Sequence, residues 1–223
     1  TVQKNIINRV LFISIPSVSS RFIGNIGFFL EPIILTNLLL FSGYSNNFIL
    51  TEYAAYNAYA IGLLTLPSFF VSAISQILIP EISKFHAKKE TFMIKKRLKQ
   101  ALIYSFLIGL VSSVFILWFR NPLLMILYKT TNGSDYILAL APFFVLFHLE
   151  APLSSTLQAL DKSKTAMKIT LYGIILKLVL LTILSLAHIG LYSLVISEII
   201  NIIFVVLAHI QVILKYFQNS FEI

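Results

Sequence analysis

Along most of this chain apolar positions do not alternate with polar ones; they fill whole stretches. From Tyr53 to Pro80 no charged residue appears, and Gln100 to Phe119 is a second clean run. Leu178–Ser197 and Ile199–Leu214 are also free of charge, with a turn at His188–Gly190. Two further stretches hold isolated charges: Val10 to Phe41, with Arg21 and Glu31, and Tyr136 to Leu160, with Glu150. Helices that are apolar all round sit in apolar surroundings, and about 20 such residues cross the hydrocarbon core of a bilayer. The pattern predicts an all-α, polytopic membrane domain covering residues 1–223. Its helices are expected at about 10–41, 53–82, 98–119, 136–160, 168–187 and 190–214. The first, at roughly 32 residues, would reach about 48 Å, more than the core requires. Pro16 and Pro32 are expected to bend it, and its first turns to lie at the interface. The connections FSGYSNN (41–47), YKTTNGSD (128–135) and LDKSKT (160–165) carry turn residues.

Composition agrees with this picture. The chain is 58% hydrophobic and 12% charged, whereas soluble domains carry about 25% charged residues; mean hydropathy is +0.89. A net charge of +8 would suggest nucleic acid in a soluble protein. In a membrane chain it points to lipid head groups and topology. There is no cysteine, which excludes a disulfide framework, a thiolate metal site and a Cys nucleophile. Residue 1 is Thr and no leader-like pattern follows, so the sequence is expected to be a piece of a longer protein.

One stretch departs from the rest. IPEISKFHAKKETFMIKKRLKQ (79–100) holds seven of the seventeen Lys and Arg residues. With six spans, the N-terminus, the 83–97 and 161–167 loops and the C-terminus share one side. That side holds Lys4, Arg9, the seven of the basic stretch, Lys162, Lys164, Lys168 and Lys215, thirteen cations in all. The other side holds Arg120 and Lys129, while Arg21 and Lys177 fall within the membrane. The excess predicts a cytoplasmic location for the basic loop and for both termini. Phe85, Phe92 and Met93 would let residues 84–99 lie on anionic lipids. No stacking platform or groove-reading motif accompanies the charges, so nucleic acid is not an expected partner.

Charge inside a bilayer is expensive and marks candidate sites. Lys177 and Glu198 lie eleven residues before and ten after His188, at one depth on a helical hairpin, and are expected to form a structural ion pair that Asn201 could join. Arg21 and Glu150 each lie on the order of 18 Å from the basic end; they could pair or share a water-filled cavity. Arg21 sits in a small, polar neighbourhood with Ser17, Ser19, Ser20, Gly24 and Asn25, and is read either as a structural partner or as a ligand for an anionic substrate. Glu31 and Glu150 are candidates for the same cavity. His148 and Glu150 project about 200° apart on a helix and do not form a metal site together. No HExxH, GxSxG, Walker or GxGxxG pattern occurs, so neither an enzyme nor a cofactor is expected.

The segment GLLTLPSFFVSAISQILIPEIS (62–83), followed by a Lys-rich stretch and a new helix, carries a family resemblance. So do ISIPSVSSRFIGNIGFFLEPIIL (13–35), LLMILY (123–128) and HLEAPLSSTLQALDKSK (148–164). Together they resemble the polysaccharide-exporter branch of the multidrug/oligosaccharidyl-lipid/polysaccharide flippase superfamily, the stage V sporulation protein B and MurJ-like group. The resemblance implies two six-helix lobes around a central cavity, working by alternating access in the bacterial cytoplasmic membrane. This chain would be the C-terminal lobe, with the N-terminal lobe as its missing partner. It also implies a lipid-linked anionic saccharide or peptidoglycan precursor as substrate, with Arg21 as its cationic ligand; Asn25, Glu31 and Glu150 are substrate-binding candidates from their own place within the membrane. The acidic surplus departs from a cationic cavity. A cation-coupled multidrug extruder and a non-transporting membrane scaffold are the alternatives.

Overall fold

A computed structural model describes residues 2–219; side chains are described at Ile15, Val18, Ser19 and Phe22 and from Asn25 onward. The described residues form helices and turns. The helices are α1 (Val2–Phe41), α2 (Asn46–Thr65) and α3 (Ser68–Ala87), α4 (Thr91–Trp118), α5 (Arg120–Tyr128), α6 (Ser134–Ala159), α7 (Ser163–Leu186) and α8 (Tyr192–Asn219). Among them α4, α6, α7 and α8 are each long and apolar enough to cross a bilayer, and α2 with α3 makes a bent fifth span.

Helix ends are closed by a shared device. At Gly43, Lys89, Asp161 and His188 the backbone turns left-handed. There the next residue's N–H reaches back five residues, as in Tyr44 to Leu39 (3.0 Å) and Lys162 to Leu157 (2.8 Å). These bonds satisfy carbonyls that a helix end otherwise leaves orphaned, which matters most where the chain must turn back quickly. At the start of α2, Ser45 Oγ accepts from the Phe48 N–H at 3.3 Å.

Three regions differ from the sequence-based expectation. The expected 53–82 helix starts earlier and is broken, with α2 and α3 meeting at 52° around Pro67. Proline has no N–H to donate and its ring crowds the preceding turn, so the i→i−4 ladder is interrupted there. Within α2, residues Ala55–Ile61 open into wider, π-helical turns. The Ala58 carbonyl accepts from the Tyr128 hydroxyl at 3.2 Å, and the Tyr59 and Tyr128 rings meet at a tilt of 31°, 4.5 Å between centroids. Second, residues 120–128, expected as a connection, form α5, which carries that tyrosine. Third, the basic 83–97 stretch is mostly helix: α3 runs to Ala87 and α4 begins at Thr91, leaving a three-residue turn. Its lysines surround an apolar stripe in which Ile82, Ile94 and Leu98 are buried, and that stripe is why the helices extend beyond the apolar runs.

α6 is the axis of the bundle. It packs against α3, α4, α7 and α8, while α1 lies chiefly on α7. The buried apolar residues fall into two clusters at successive depths. One holds Leu39, Leu64, Ile116, Phe144, Leu181 and Ile202; the other holds Leu78, Ala101, Leu153, Ile169, Val205 and Ile213. Four helices contribute small or polar buried residues around this level: Ser75 on α3, Ser105 and Ser113 on α4, His148 on α6, and Glu198 on α8. Close approach is required here. A Cβ on Gly173 would lie 2.6 Å from Val205 Cγ2 and 2.7 Å from Asn201 Oδ1, so only glycine lets α7 and α8 meet at this depth.

A candidate site at mid-depth

The seam between the two clusters carries the buried charge. Lys177, on α7, projects toward α1 and α8. Its Nζ lies 2.5 Å from Glu198 Oε2 and is ion-paired also with Glu31 Oε2. Glu31 is 3% exposed and Glu198 9%, so both carboxylates depend on this ammonium for compensation. One lysine thereby ties together three helices, two of them far apart in sequence.

Beside this cluster is a cavity of about 240 Å³. Glu31, Glu150, Thr170, Lys177 and Asn201 line it, with Gly27 and Phe28 at the α1 side. Asn201 Oδ1, in the cavity wall, is buried and receives no hydrogen bond from the described residues; outside the cavity the same holds for Tyr56 Oη and His148 Nε2. His148 instead directs Nδ1 at the Phe144 carbonyl, 2.5 Å away. A cavity with charged walls and polar atoms lacking protein partners is suited to water, and through water to a polar ligand.

Of the residues singled out from sequence, Glu31, Glu150, Lys177 and Glu198 are brought together here. Asn25 is exposed on α1. The side chain of Arg21, and with it the suggested pairing to Glu150, lies outside the described residues. Sequence reasoning grouped Lys177 with Glu198 and allowed Asn201 to join them. Glu31 joins them through the α1–α7 contact, which carries no local signal. Thr170 was missed as well, although it lies seven residues before Lys177, two helical turns along one face.

A larger hollow, about 490 Å³, lies at the other end of the bundle between turns. In its wall the Tyr136 hydroxyl donates to Glu52 at 2.5 Å, and Ser134 Oγ, also in the wall, accepts from Arg120 Nε at 2.9 Å. These bonds fasten α2, α5 and α6 where the chain leaves the bundle. At the basic end the counterpart contacts are Ser83 Oγ to the Ala159 carbonyl (3.4 Å) and His86 Nδ1 with Tyr216 Oη (2.9 Å).

Comparison with known proteins agrees with this architecture. The MatE family profile matches residues 32–183. The chain is 30% identical over 221 residues to stage V sporulation protein B of Bacillus subtilis, covering 99% of this chain and 43% of that protein. It is 26% identical over 146 residues to sporulation protein YkvU of the same organism, covering 66% and 33%. It is 31% identical over 144 residues to the probable lipid II flippase MurJ of Rickettsia prowazekii, covering 60% and 28%. The chain thus spans less than half the length of these relatives. No solved structure matches it.

Proposed function

The chain belongs to the MatE family, and from that premise we propose that it forms one lobe of a flippase for a lipid-linked, anionic oligosaccharide or peptidoglycan precursor. The observation that carries this reading is the polar cavity at mid-depth, walled by Glu31, Glu150 and Lys177 from three helices and by Asn201 from a fourth. A bare head group cannot cross hydrocarbon, because desolvating its charge costs far more than binding returns. A lobe with a hydrated polar face at mid-depth lowers that barrier, while the lipid tail stays in the bilayer. The likeness to a protein named as a probable lipid II flippase supports the substrate class.

In this proposal the lobe works against a second lobe supplied by the rest of the protein, in the bacterial cytoplasmic membrane, with the Lys88–Glu90 turn and both termini cytoplasmic. Arg21 is the phosphate ligand, since guanidinium binds phosphate with two parallel hydrogen bonds and keeps its charge. Asn25, one turn along α1, adds a neutral donor. Glu150 and Glu31 limit how tightly the anion is held, which favours its release.

A cation-coupled extruder is the second reading, favoured by one observation: among the described residues Lys177 pairs with both Glu31 and Glu198, while Glu150, a third carboxylate, lines the same cavity without an ion pair to it. The experiment is expression of the full-length protein in a strain depleted of its own lipid II flippase, with cationic dye efflux measured on the same cells. Rescue of growth without efflux is the expected result. Efflux without rescue would overturn the flippase reading in favour of the extruder.

A further inference from the structure

A second groove lies away from the charge cluster, on the outer face of the bundle at the basic end. α6 packs against both α4 and α8, and these two flank a channel of about 480 Å³ with Leu149 of α6 as its floor. Leu98, Leu102 and Phe106 line one wall, and Leu214 and Phe217 the other. On α4 the lining residues recur at the spacing of a single helical stripe. At the mouth stand Lys95 and Lys99, one turn apart on that stripe. Lys95 Nζ is held 5.0 Å from the centre of the Phe217 ring, over the groove mouth.

We propose that this groove binds one anionic phospholipid, its acyl chain along the apolar walls and its phosphate against Lys95 and Lys99. Dimensions agree with a lipid of one leaflet. From Lys95 to Phe106 the stripe measures about 17 Å, and half of a hydrocarbon core is about 15 Å. The lysines therefore stand at head-group level when the groove lies in the acyl region. The lining also argues for a lipid over a protein helix. Helices associate in membranes through small residues that let backbones approach closely, because lipid tails are as apolar as leucine; this groove is walled by Leu and Phe. Two ammoniums about 6 Å apart at Cβ can reach one phosphodiester, and they discriminate against lipids of zero net charge.

This inference goes beyond transport and stands whether or not the lobe flips a precursor. It is tested by native mass spectrometry of the purified full-length protein with phosphatidylglycerol and phosphatidylcholine. The wild type should retain one phosphatidylglycerol in preference to phosphatidylcholine. Each lysine near the head groups contributes about fivefold, so Lys95→Gln with Lys99→Gln should reduce phosphatidylglycerol retention about 30-fold and leave phosphatidylcholine unchanged. Leu102→Trp, which fills the groove with a side chain rather than emptying it, should lower retention of both lipids. Thermal unfolding of each variant in detergent separates lost binding from lost fold. Equal phosphatidylglycerol retention in a folded double-Gln variant would overturn the proposal, as would an unchanged lipid stoichiometry in Leu102→Trp.

Discussion

Lys177 ties two helices to its own by ion pairs: α1 through Glu31 and α8 through Glu198. Truncating it leaves two buried carboxylates without a cation. Removing one partner of a buried pair commonly costs about 3–5 kcal/mol, more than the roughly 0.6 kcal/mol typical of a hydrogen bond between membrane helices. Lys177→Ala should therefore lower membrane abundance and melting temperature strongly. Adding Glu198→Gln should recover part of the loss, and adding Glu31→Gln as well should recover more. A triple variant no more stable than Lys177→Ala would contradict the three-member cluster. At Arg21 the expectation differs in kind. Arg21→Ala should insert at normal abundance yet lose transport, and Arg21→Lys should be impaired because an ammonium lacks the two-pronged geometry. If Arg21 instead serves Glu150 structurally, the Ala variant will be scarce and Glu150→Gln will restore it. Local arithmetic made the Lys177–Glu198 hairpin readable, since both lie at similar distances from His188. Glu31 was not readable in that way, because its contact depends on how α1 docks.

At the level of elements, the apolar runs made the helical class and the approximate place of the long helices legible. What they hid were features set by packing. The break at Pro67 could be suspected from the proline; the wide turns over Ala55–Ile61 could not, because their support is Tyr128, far along the chain. The helical course of the basic stretch was hidden for another reason: charge density masked the stripe of Ile82, Ile94 and Leu98. Close helix contact yields a direct test. At Gly173 even one methyl group meets β-branched Val205 and the Asn201 side chain. Overpacking costs typically about 1–3 kcal/mol, so Gly173→Ala should lower the melting temperature measurably and Gly173→Leu more so. An unchanged melting temperature for Gly173→Leu would show that α7 and α8 do not approach as described. The turn before α6 gives a parallel case. Gly133 has φ +93°, and a Cβ there would lie 2.6 Å from the Ala55 carbonyl oxygen. Gly133→Ala is thus expected to loosen α2 from α6 and reduce abundance.

For the molecule as a whole, the charge distribution makes the orientation testable. Reporter fusions after Lys89 and Lys164 should label as cytoplasmic, and those at Asn46 and Asn132 as external; a cytoplasmic signal at Asn46 would reverse or break the assigned topology. Whole-molecule architecture was legible as class and span pattern, since hydropathy alone demands helices in a bilayer. The layering was not, because two apolar clusters separated by a polar seam look, in sequence, like one apolar run with occasional interruptions. That layering has a mechanical consequence. Close-packed apolar blocks resist deformation because every displacement opens voids, whereas a layer of ion pairs beside a polar cavity offers groups that can exchange partners through water at little cost. Along the chain the Pro67 break falls between the blocks, after Leu64 of one and before Leu78 of the other. Load applied to one end of the lobe therefore meets a stiff block, a compliant plane, and a second stiff block. The lobe should yield by shear across its middle, at the depth where the charges are held.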